Sequence, residues 1–242
     1  MSEWSLGQRP FLIGHRGASA DAPENTLAAF LLAQTQGADG IEFDVQLSAD
    51  GWPVVIHDGK LDRTTNGHGA VQDLTLAELQ KLDAGQGQSI PTLDEVFETL
   101  GPNFLYNVEL KTAVLRDNGL AAAVADRIQA HNLARQTVVS SFNPLAVRYA
   151  RRHLTQSTWV AHLSYKSALQ FKHALIPVQA VHPHYKMVDA AYMAWASKNG
   201  WRVNVWTVDD PAEARRLLAL GVHGIITNKP KFIREALFQH EN

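Results

Sequence analysis

The chain of 242 residues contains no cysteine, which excludes disulfide-based folds, zinc–thiolate sites and cysteine nucleophiles. It also lacks any run near the roughly 18 consecutive apolar residues that a transmembrane helix needs, so we expect no membrane span. Residues 1–5 carry an early acid and lead into no apolar run, unlike a signal peptide. These absences together predict a cytoplasmic protein.

The chain also has little net charge. Its formal charge is −2 and its pI is about 6.6, which leaves no basic field for binding nucleic acid. No linker, low-complexity tract or internal repeat divides the sequence, and a single α/β barrel of about 250 residues would use all of it. We therefore expect one domain over residues 1–242.

Short apolar runs rich in β-branched residues alternate with helical patterns along nearly the whole chain. Thr92, with Glu95 three residues later, forms a capping box that predicts a helix over 92–100. Comparable signals predict helices over 25–36, 117–131 and 210–220. The strand-like runs are 11–16, 40–47, 53–57, 104–111, 137–142, 158–163, 179–184, 201–208 and 224–227.

This order of strands and helices predicts an α/β fold, namely a closed (β/α)8 TIM barrel. The runs exceed eight by one, and the turn at 48–51 is too short for a helix, so we expect 40–47 and 53–57 to form a hairpin. A doubly wound open sheet is the alternative, but no glycine fingerprint follows the first strand. Residues 59–91 are irregular, which predicts a small excursion inserted after the third strand.

Charged and imidazole side chains lie at the ends of these strands, where the active site of a barrel enzyme belongs. Side chains two residues apart on a strand share one face. The residues are His15 and Arg16 after the first strand, Glu42 and Asp44 on one face of the second, His57 after the third run, and Glu109 and Lys111 on one face of the next.

Each residue alone has an ordinary structural explanation, because strand-end histidines are often structural and Glu109 can pair with Lys111. Together they would be costly to bury unpaired. Three carboxylates suit a hard cation such as Ca²⁺ or Mg²⁺, and two histidines suit a proton donor and acceptor. Arg16 and Lys111 add the positive charge that an anionic substrate needs. The set predicts metal-assisted hydrolysis of a phosphate ester.

Six segments resemble the glycerophosphodiester phosphodiesterase family, and they extend from the first strand to the last helix. Their motifs occur in the order HRG, PENT, E-x-D, HD and E-x-K, with Asn228 standing where an Asp is more usual. The segments are HRGASADAPENTLAAF (15–30), GADGIEFDVQLSADGWPVVIHD (37–58), LDRTTNGHG (61–69), IPTLDEV (90–96), VELK (108–111) and GIITNKP (224–230).

The resemblance implies a barrel with an insertion over 59–103 that cleaves glycerophosphodiesters to sn-glycerol 3-phosphate and an alcohol. It implies one divalent cation, Ca²⁺ or Mg²⁺ with Mn²⁺ also suitable, and a small-molecule glycerophosphodiester as partner. Direct attack by water and a cyclic phosphate intermediate both remain open. The implied roles are His15 and His57 as the acid/base pair, Glu42, Asp44 and Glu109 as metal ligands, Arg16 and Lys111 as phosphate contacts, and Phe142 and Trp206 as walls of the glycerol end.

Two other functions remain as alternatives. One is a phospholipase-like phosphodiesterase on intact lipid, and the other is a non-catalytic barrel that binds phosphodiesters. The headgroup preference is open, and the chain is expected to be a monomer or a homodimer.

Several further residues leave a choice between roles. Asp58 is either a ligand or the cap of the following turn, and His182 and His184 are candidates to line the pocket. Trp201 and Trp206 face opposite sides of one strand, and we expect Trp206 to point inward.

Overall fold

The computed structural model describes residues 3–5, 9–112, 117–165 and 176–238. Within these ranges the strands are β1 (Phe11–His15), β2 (Gly40–Leu47), β3 (Pro53–Val55), β4 (Leu105–Leu110), β5 (Thr137–Ser141), β6 (Trp159–Ser164), β7 (Ala180–Pro183), β8 (Arg202–Val205) and β9 (Gly224–Thr227). The helices are α1 (Leu27–Thr35), α2 (Leu76–Leu79), α3 (Leu93–Leu100), α4 (Leu120–Ala130), α5 (Pro144–His153), α6 (Ala190–Lys198), α7 (Pro211–Ala219) and α8 (Pro230–Phe238).

Eight parallel strands close into a barrel, which confirms the predicted fold. The order runs β1, β9, β8, β7, β6, β5, β4, β2, and β1 pairs with both β9 and β2. The remaining strand, β3, pairs antiparallel with β2, so the predicted hairpin is also confirmed. Gly51 forms its turn with a φ of 83°, a left-handed value that glycine adopts without strain.

The first helix begins later than the sequence indicates. Residue 26, not residue 25, is the N-cap of α1, and the Thr26 side chain accepts a hydrogen bond from the Ala29 N–H. Asn25 has a left-handed φ of 59° and its side chain reaches across to β2. The predicted start at 25 is therefore wrong because a tertiary contact fixes this residue outside the helix. By contrast, the Thr92–Glu95 capping box of α3 forms as expected.

The excursion after β3 has its own small apolar cluster. Between Ile56 and Ile90 the chain includes a short 3-10 turn and α2, packed around Leu61, Val71 and Leu79. The apolar residues of α3, in contrast, belong to the main core between strands and helices. Residues 59–103, the range predicted for one insertion, therefore pack in two different apolar clusters. The boundaries of the insertion stay a prediction.

The barrel interior changes from apolar to polar along its axis. At the N-terminal ends of the strands Trp4 is buried against Ile13 and Phe11, and its indole N–H donates to the Gln136 carbonyl. Higher up, His182 lies between the amides of Asn107 and Asn204, and its burial lowers its pKa to about 3. None of the helices in the described ranges is long and apolar enough to cross a membrane.

Candidate active site

A cavity of about 190 Å³ opens at the C-terminal ends of the strands. Eight of the nine residues singled out from the sequence line it, and the ninth, Asp44, is buried against two of them. The side chains lining the cavity are those of His15, Arg16, Glu42, His57, Glu109, Lys111, Phe142, Leu163, Trp206 and Ile226.

The end of β1 presents His15 in a fixed orientation. Its Nδ1 lies 2.7 Å from Oδ1 of Asn228, and the Asn228 amide nitrogen donates to Asp209 over 2.6 Å. Because Asn228 offers its oxygen to the ring, Nδ1 carries the proton and Nε2 is left as the acceptor. Burial and the nearby Arg16 charge lower the pKa of His15 below its ordinary value. This shift favours the neutral form of the ring.

Arg16 turns back from the strand over the carboxylates. Its φ is 54°, a left-handed value that is uncommon outside glycine, and its N–H donates to the Glu42 carbonyl over 2.7 Å. This conformation places Nε 3.2 Å from Asp44 Oδ2, while Nη1 donates to Glu24 over 2.8 Å. The guanidinium is thus fixed at the cavity wall between two acids.

Three buried carboxylates come together from neighbouring strands. Glu42, Asp44 and Glu109 each contribute an oxygen, and these oxygens lie within 4.8 Å of one another. Burial and the neighbouring acids raise the pKa of Glu42 well above its ordinary value, and burial and Asp44 raise that of Glu109 to about 7. Burial acts on Asp44 too, but Arg16 and Lys111 outweigh it and hold the pKa of this carboxyl below its ordinary value.

This cluster has the composition of a divalent-cation site. Oxygens at 2.0–2.6 Å from one cation can be separated by up to about 5 Å, as these are. Asp44 Oδ1 is buried and accepts no hydrogen bond from the part of the chain described, although Lys111 Nζ lies 3.5 Å away. Lys111 also donates to Glu109 over 3.0 Å. The residues present therefore fit a hard cation, because their repulsion is only partly neutralised by the protein.

His57 faces the cavity from the segment after β3. Its Nδ1 lies 2.5 Å from Asp58 Oδ1, so the Nδ1–H group donates a hydrogen bond to this carboxylate. The other ring nitrogen, Nε2, is then available to accept or donate a proton. The side chain of Gln46 donates to the carbonyls of three successive residues, Ile56, His57 and Asp58, at 2.7–3.1 Å. In the described residues the Asp58 carboxylate accepts from His57 and Arg63, and it is not one of the three acids that lie together.

Two aromatic rings form the opposite wall. Phe142 and Trp206 meet edge to face with their centroids 5.5 Å apart, and the indole N–H of Trp206 donates to the His182 carbonyl over 2.7 Å. Trp201 packs instead against Trp195 on the helix side of its strand. His184 contacts the Trp206 ring at 5.4 Å but, like His182, is not among the residues that line the cavity.

Sequence reasoning missed several residues that hold the cavity residues in place. Asn25 donates to Asp44 over 2.9 Å, and Asn228, which stands where an Asp is more usual, accepts from His15. Arg63 forms an ion pair with Glu24 outside the cavity. Glu24 and Asn25 belong to the PENT motif and Arg63 to the LDRTT segment. The motifs that carry the family resemblance therefore include these residues, although the sequence analysis assigned them no role.

The model of the glycerophosphoryl diester phosphodiesterase family matches residues 15–232, most of the chain and every cavity residue. The chain belongs to this family. A glycerophosphodiester phosphodiesterase from Caldanaerobacter subterraneus subsp. tengcongensis is 39% identical over 233 residues, covering 92% of this chain and 96% of the relative. Membership accounts for the strand-end residues and the barrel together.

Solved structures of phosphodiesterases are also similar to this chain in fold and sequence. The phosphodiesterase of Oleispira antarctica, in complex with the product sn-glycerol-3-phosphate, has a TM-score of 0.86 and 33% identity, with coverage of 98% of this chain and 99% of the other. The glycerophosphodiester phosphodiesterase of Agrobacterium tumefaciens str. C58 has a TM-score of 0.80 and 30% identity, with coverage of 93% and 98%.

Proposed function

We propose that this protein hydrolyses glycerophosphodiesters to sn-glycerol 3-phosphate and an alcohol with the help of one divalent cation. The observation that carries the proposal is the cavity, where two histidines, two carboxylates and two basic side chains meet beside the buried Asp44 in a member of this family. A phosphodiester is an anion, and the fixed charges of Arg16 and Lys111 suit its non-bridging oxygens. Phe142 and Trp206 offer an apolar wall to the glycerol carbons.

Glu42, Asp44 and Glu109 would hold the cation, and Ca²⁺, Mg²⁺ and Mn²⁺ all accept such an oxygen donor set. When bound, it supplies positive charge that polarises a phosphoryl oxygen and lowers the pKa of the attacking hydroxyl. Burial and the neighbouring acids raise the pKa values of the two glutamates, and a bound cation would offset this by favouring their ionised forms. Lys111 and Arg16, which contact the carboxylates themselves, would present their remaining N–H groups to the phosphate.

His15 and His57 would move the protons. Each ring donates Nδ1–H to a protein oxygen, Asn228 in one case and Asp58 in the other, which leaves Nε2 of each to face the substrate. One ring would be neutral, so that its Nε2 takes the proton of the attacking hydroxyl. The other ring would start as the imidazolium, and its Nε2–H would pass to the leaving alkoxide. The attacking hydroxyl is either the glycerol 2-hydroxyl, which gives a cyclic phosphate, or water.

The test is release of sn-glycerol 3-phosphate from glycerophosphocholine, measured with EDTA and with each of the three cations added back. We expect release that EDTA abolishes and a cation restores. Phosphorus NMR during turnover distinguishes a transient cyclic phosphate from direct hydrolysis. Binding without release by a folded protein would favour the non-catalytic barrel, and release only from intact phospholipid vesicles would favour a phospholipase-like activity.

The small cavity favours a deacylated substrate over an intact lipid. A cytoplasmic location and a monomeric or homodimeric state stay predictions, and size-exclusion chromatography with light scattering tests the second.

A further inference from the structure

Arg63 lies in the excursion, outside the cavity, and its guanidinium joins two carboxylates from different parts of the chain. Nε and Nη2 donate to Asp58 at 2.6 and 3.2 Å, and Nη1 and Nη2 donate to Glu24 at 2.9 and 2.7 Å. Both contacts are bidentate, and all three nitrogens are used. The hydrogen bond from Arg63 is the main cause that lowers the pKa of Asp58 far below its ordinary value.

Each of these carboxylates also holds a residue of the cavity. Asp58 Oδ1 accepts from the ring of His57 at 2.5 Å, and Glu24 Oε1 accepts from Nη1 of Arg16 at 2.8 Å. One guanidinium is therefore at the centre of a continuous chain of hydrogen bonds, His57–Asp58–Arg63–Glu24–Arg16. The two ends of this chain are a proton-transfer group and a phosphate contact of the proposed reaction.

The excursion anchors the backbone on both sides of Arg63. Leu61 is fully buried in the apolar cluster of the excursion, and its N–H donates to the Gly69 carbonyl over 3.0 Å. The N–H and hydroxyl of Thr65 both donate to the Leu61 carbonyl, at 3.1 and 2.8 Å. Gly85, at a left-handed φ of 104°, lies against Pro23, next to Glu24, and a Cβ there would be 3.1 Å from the proline ring. The excursion thus meets the loop after β1 at two points.

We propose that Arg63 is a positioning residue, which orients His57 through Asp58 and Arg16 through Glu24 so that the excursion completes the active site. The inference rests on the proposed phosphodiesterase function. A planar guanidinium can bind two carboxylates bidentately, whereas an ammonium group presents a single point of charge and cannot. Because Arg63 is about half exposed, with a side-chain exposure of 47%, the ion pairs alone contribute little to stability, so the main expected effect is on geometry.

The experiment compares Arg63→Ala and Arg63→Lys with the wild-type protein and with Arg9→Met. Arg9 is a matched control, because it forms a similarly exposed bidentate pair with Asp39 at the opposite end of the barrel. We expect both Arg63 variants to keep the wild-type melting temperature and to lose roughly 10- to 100-fold in kcat, the range that a misplacement of about 1 Å produces. Weaker orientation of Arg16 should raise KM as well, while Arg9→Met changes neither parameter.

Two further readouts separate positioning from a structural role. Added guanidinium should restore activity to Arg63→Ala, while methylammonium should not. The ¹⁵N NMR signals of the His57 ring should show an Nδ1–H tautomer in the wild-type protein and a mixture of tautomers in Arg63→Ala.

Three results would overturn the inference. They are a kcat within about twofold of wild type in Arg63→Ala, full activity in Arg63→Lys, or a loss that guanidinium does not restore and that follows a lowered melting temperature. An inactive wild-type protein would instead contradict the proposed function, and the NMR comparison would still test the orientation of His57.

Discussion

The two ends of the barrel are built on opposite principles. At the N-terminal ends of the strands, Trp4 covers an apolar layer that includes Ile13 and Ile226, and the polar atom of its indole is satisfied by a backbone carbonyl. At the C-terminal ends, three buried acids crowd together and two of them have raised pKa values. The N-terminal end stabilises the fold, whereas the C-terminal end carries the candidate active site and its unfavourable burial of charge. This separation of stability and activity is expected of this fold.

The sharpest test of this division replaces the histidines of the C-terminal end. We expect His15→Ala and His57→Ala each to lower kcat by about 100-fold or more, the range for loss of a general acid or base. Melting temperature should change little because both rings lie at the cavity rather than in the apolar core. Steady-state kinetics on glycerophosphocholine measure the effect, and His68→Ala, at an exposed histidine of the excursion, serves as control. Near-wild-type turnover in either variant removes that residue from the mechanism.

The opposite result is expected at the other end. Trp4→Ala removes a large buried side chain and should lower the free energy of unfolding by about 3–5 kcal/mol, with kcat unchanged below the melting temperature. Urea denaturation measures the loss, and Trp52→Ala, at a partly exposed tryptophan, should lose much less. If the folded Trp4→Ala protein also lost much of its kcat, the stability of the N-terminal end and the activity of the C-terminal end would not be independent.

A third test uses pH on the metal-free protein. Burial raises the pKa of Glu109 to about 7 in the folded state, so between pH about 4.5 and 7 the folded protein binds more protons than the unfolded chain. Stability from this group is therefore complete below pH 4.5 and is lost as the pH rises through 7. Thermal melts in EDTA should show the decline, and Glu109→Gln should reduce it, while Glu42, whose pKa is also raised, accounts for the rest.

Adding the cation should reverse this trend. A cation at about 100 times its Kd stabilises the folded state by about 2.7 kcal/mol, and the gain should increase as the pH rises, because the cation binds the ionised carboxylates. Melts of the wild-type protein and of Glu42→Gln with and without Mg²⁺ or Ca²⁺ measure it. Equal stabilisation of both proteins would place the cation elsewhere.

The smallest effect is expected at the aromatic wall. Phe142→Leu keeps an apolar side chain but removes the edge-to-face contact with Trp206, which is worth about 0.5–1.5 kcal/mol. We expect KM to rise by up to about tenfold with kcat nearly unchanged, as steady-state kinetics will show. A larger loss in kcat than in KM would assign Phe142 a part in orienting the reacting groups.

The sequence predicts the barrel well because its signals are local. The apolar runs of the strands, the helical patterns between them and the short turn at 48–51 require no knowledge of distant segments. The cavity residues are also visible, because Glu42, Asp44 and Glu109 are charges inside otherwise apolar strands. Their order along the chain then matches the family motifs.

The residues that orient this set are not predictable in the same way. Arg63 meets Glu24 across 39 positions of sequence, and Asn228 meets His15 across 213. Neither contact leaves a periodic pattern, since each depends on how two loops approach in space. The early predicted start of the first helix has the same origin, because the side chain of Asn25 is held by Asp44.

The contact between His15 and Asn228 also determines when, during synthesis of the chain, the active site can be complete. The ribosome produces the first of these residues long before the second, and the strand that carries Asn228 to its place also closes the barrel against β1. Until that strand has been made and docked, the ring of His15 has no partner to set its tautomer. A nascent chain should therefore be inactive until translation has passed residue 228, even if the earlier strands and helices have already formed.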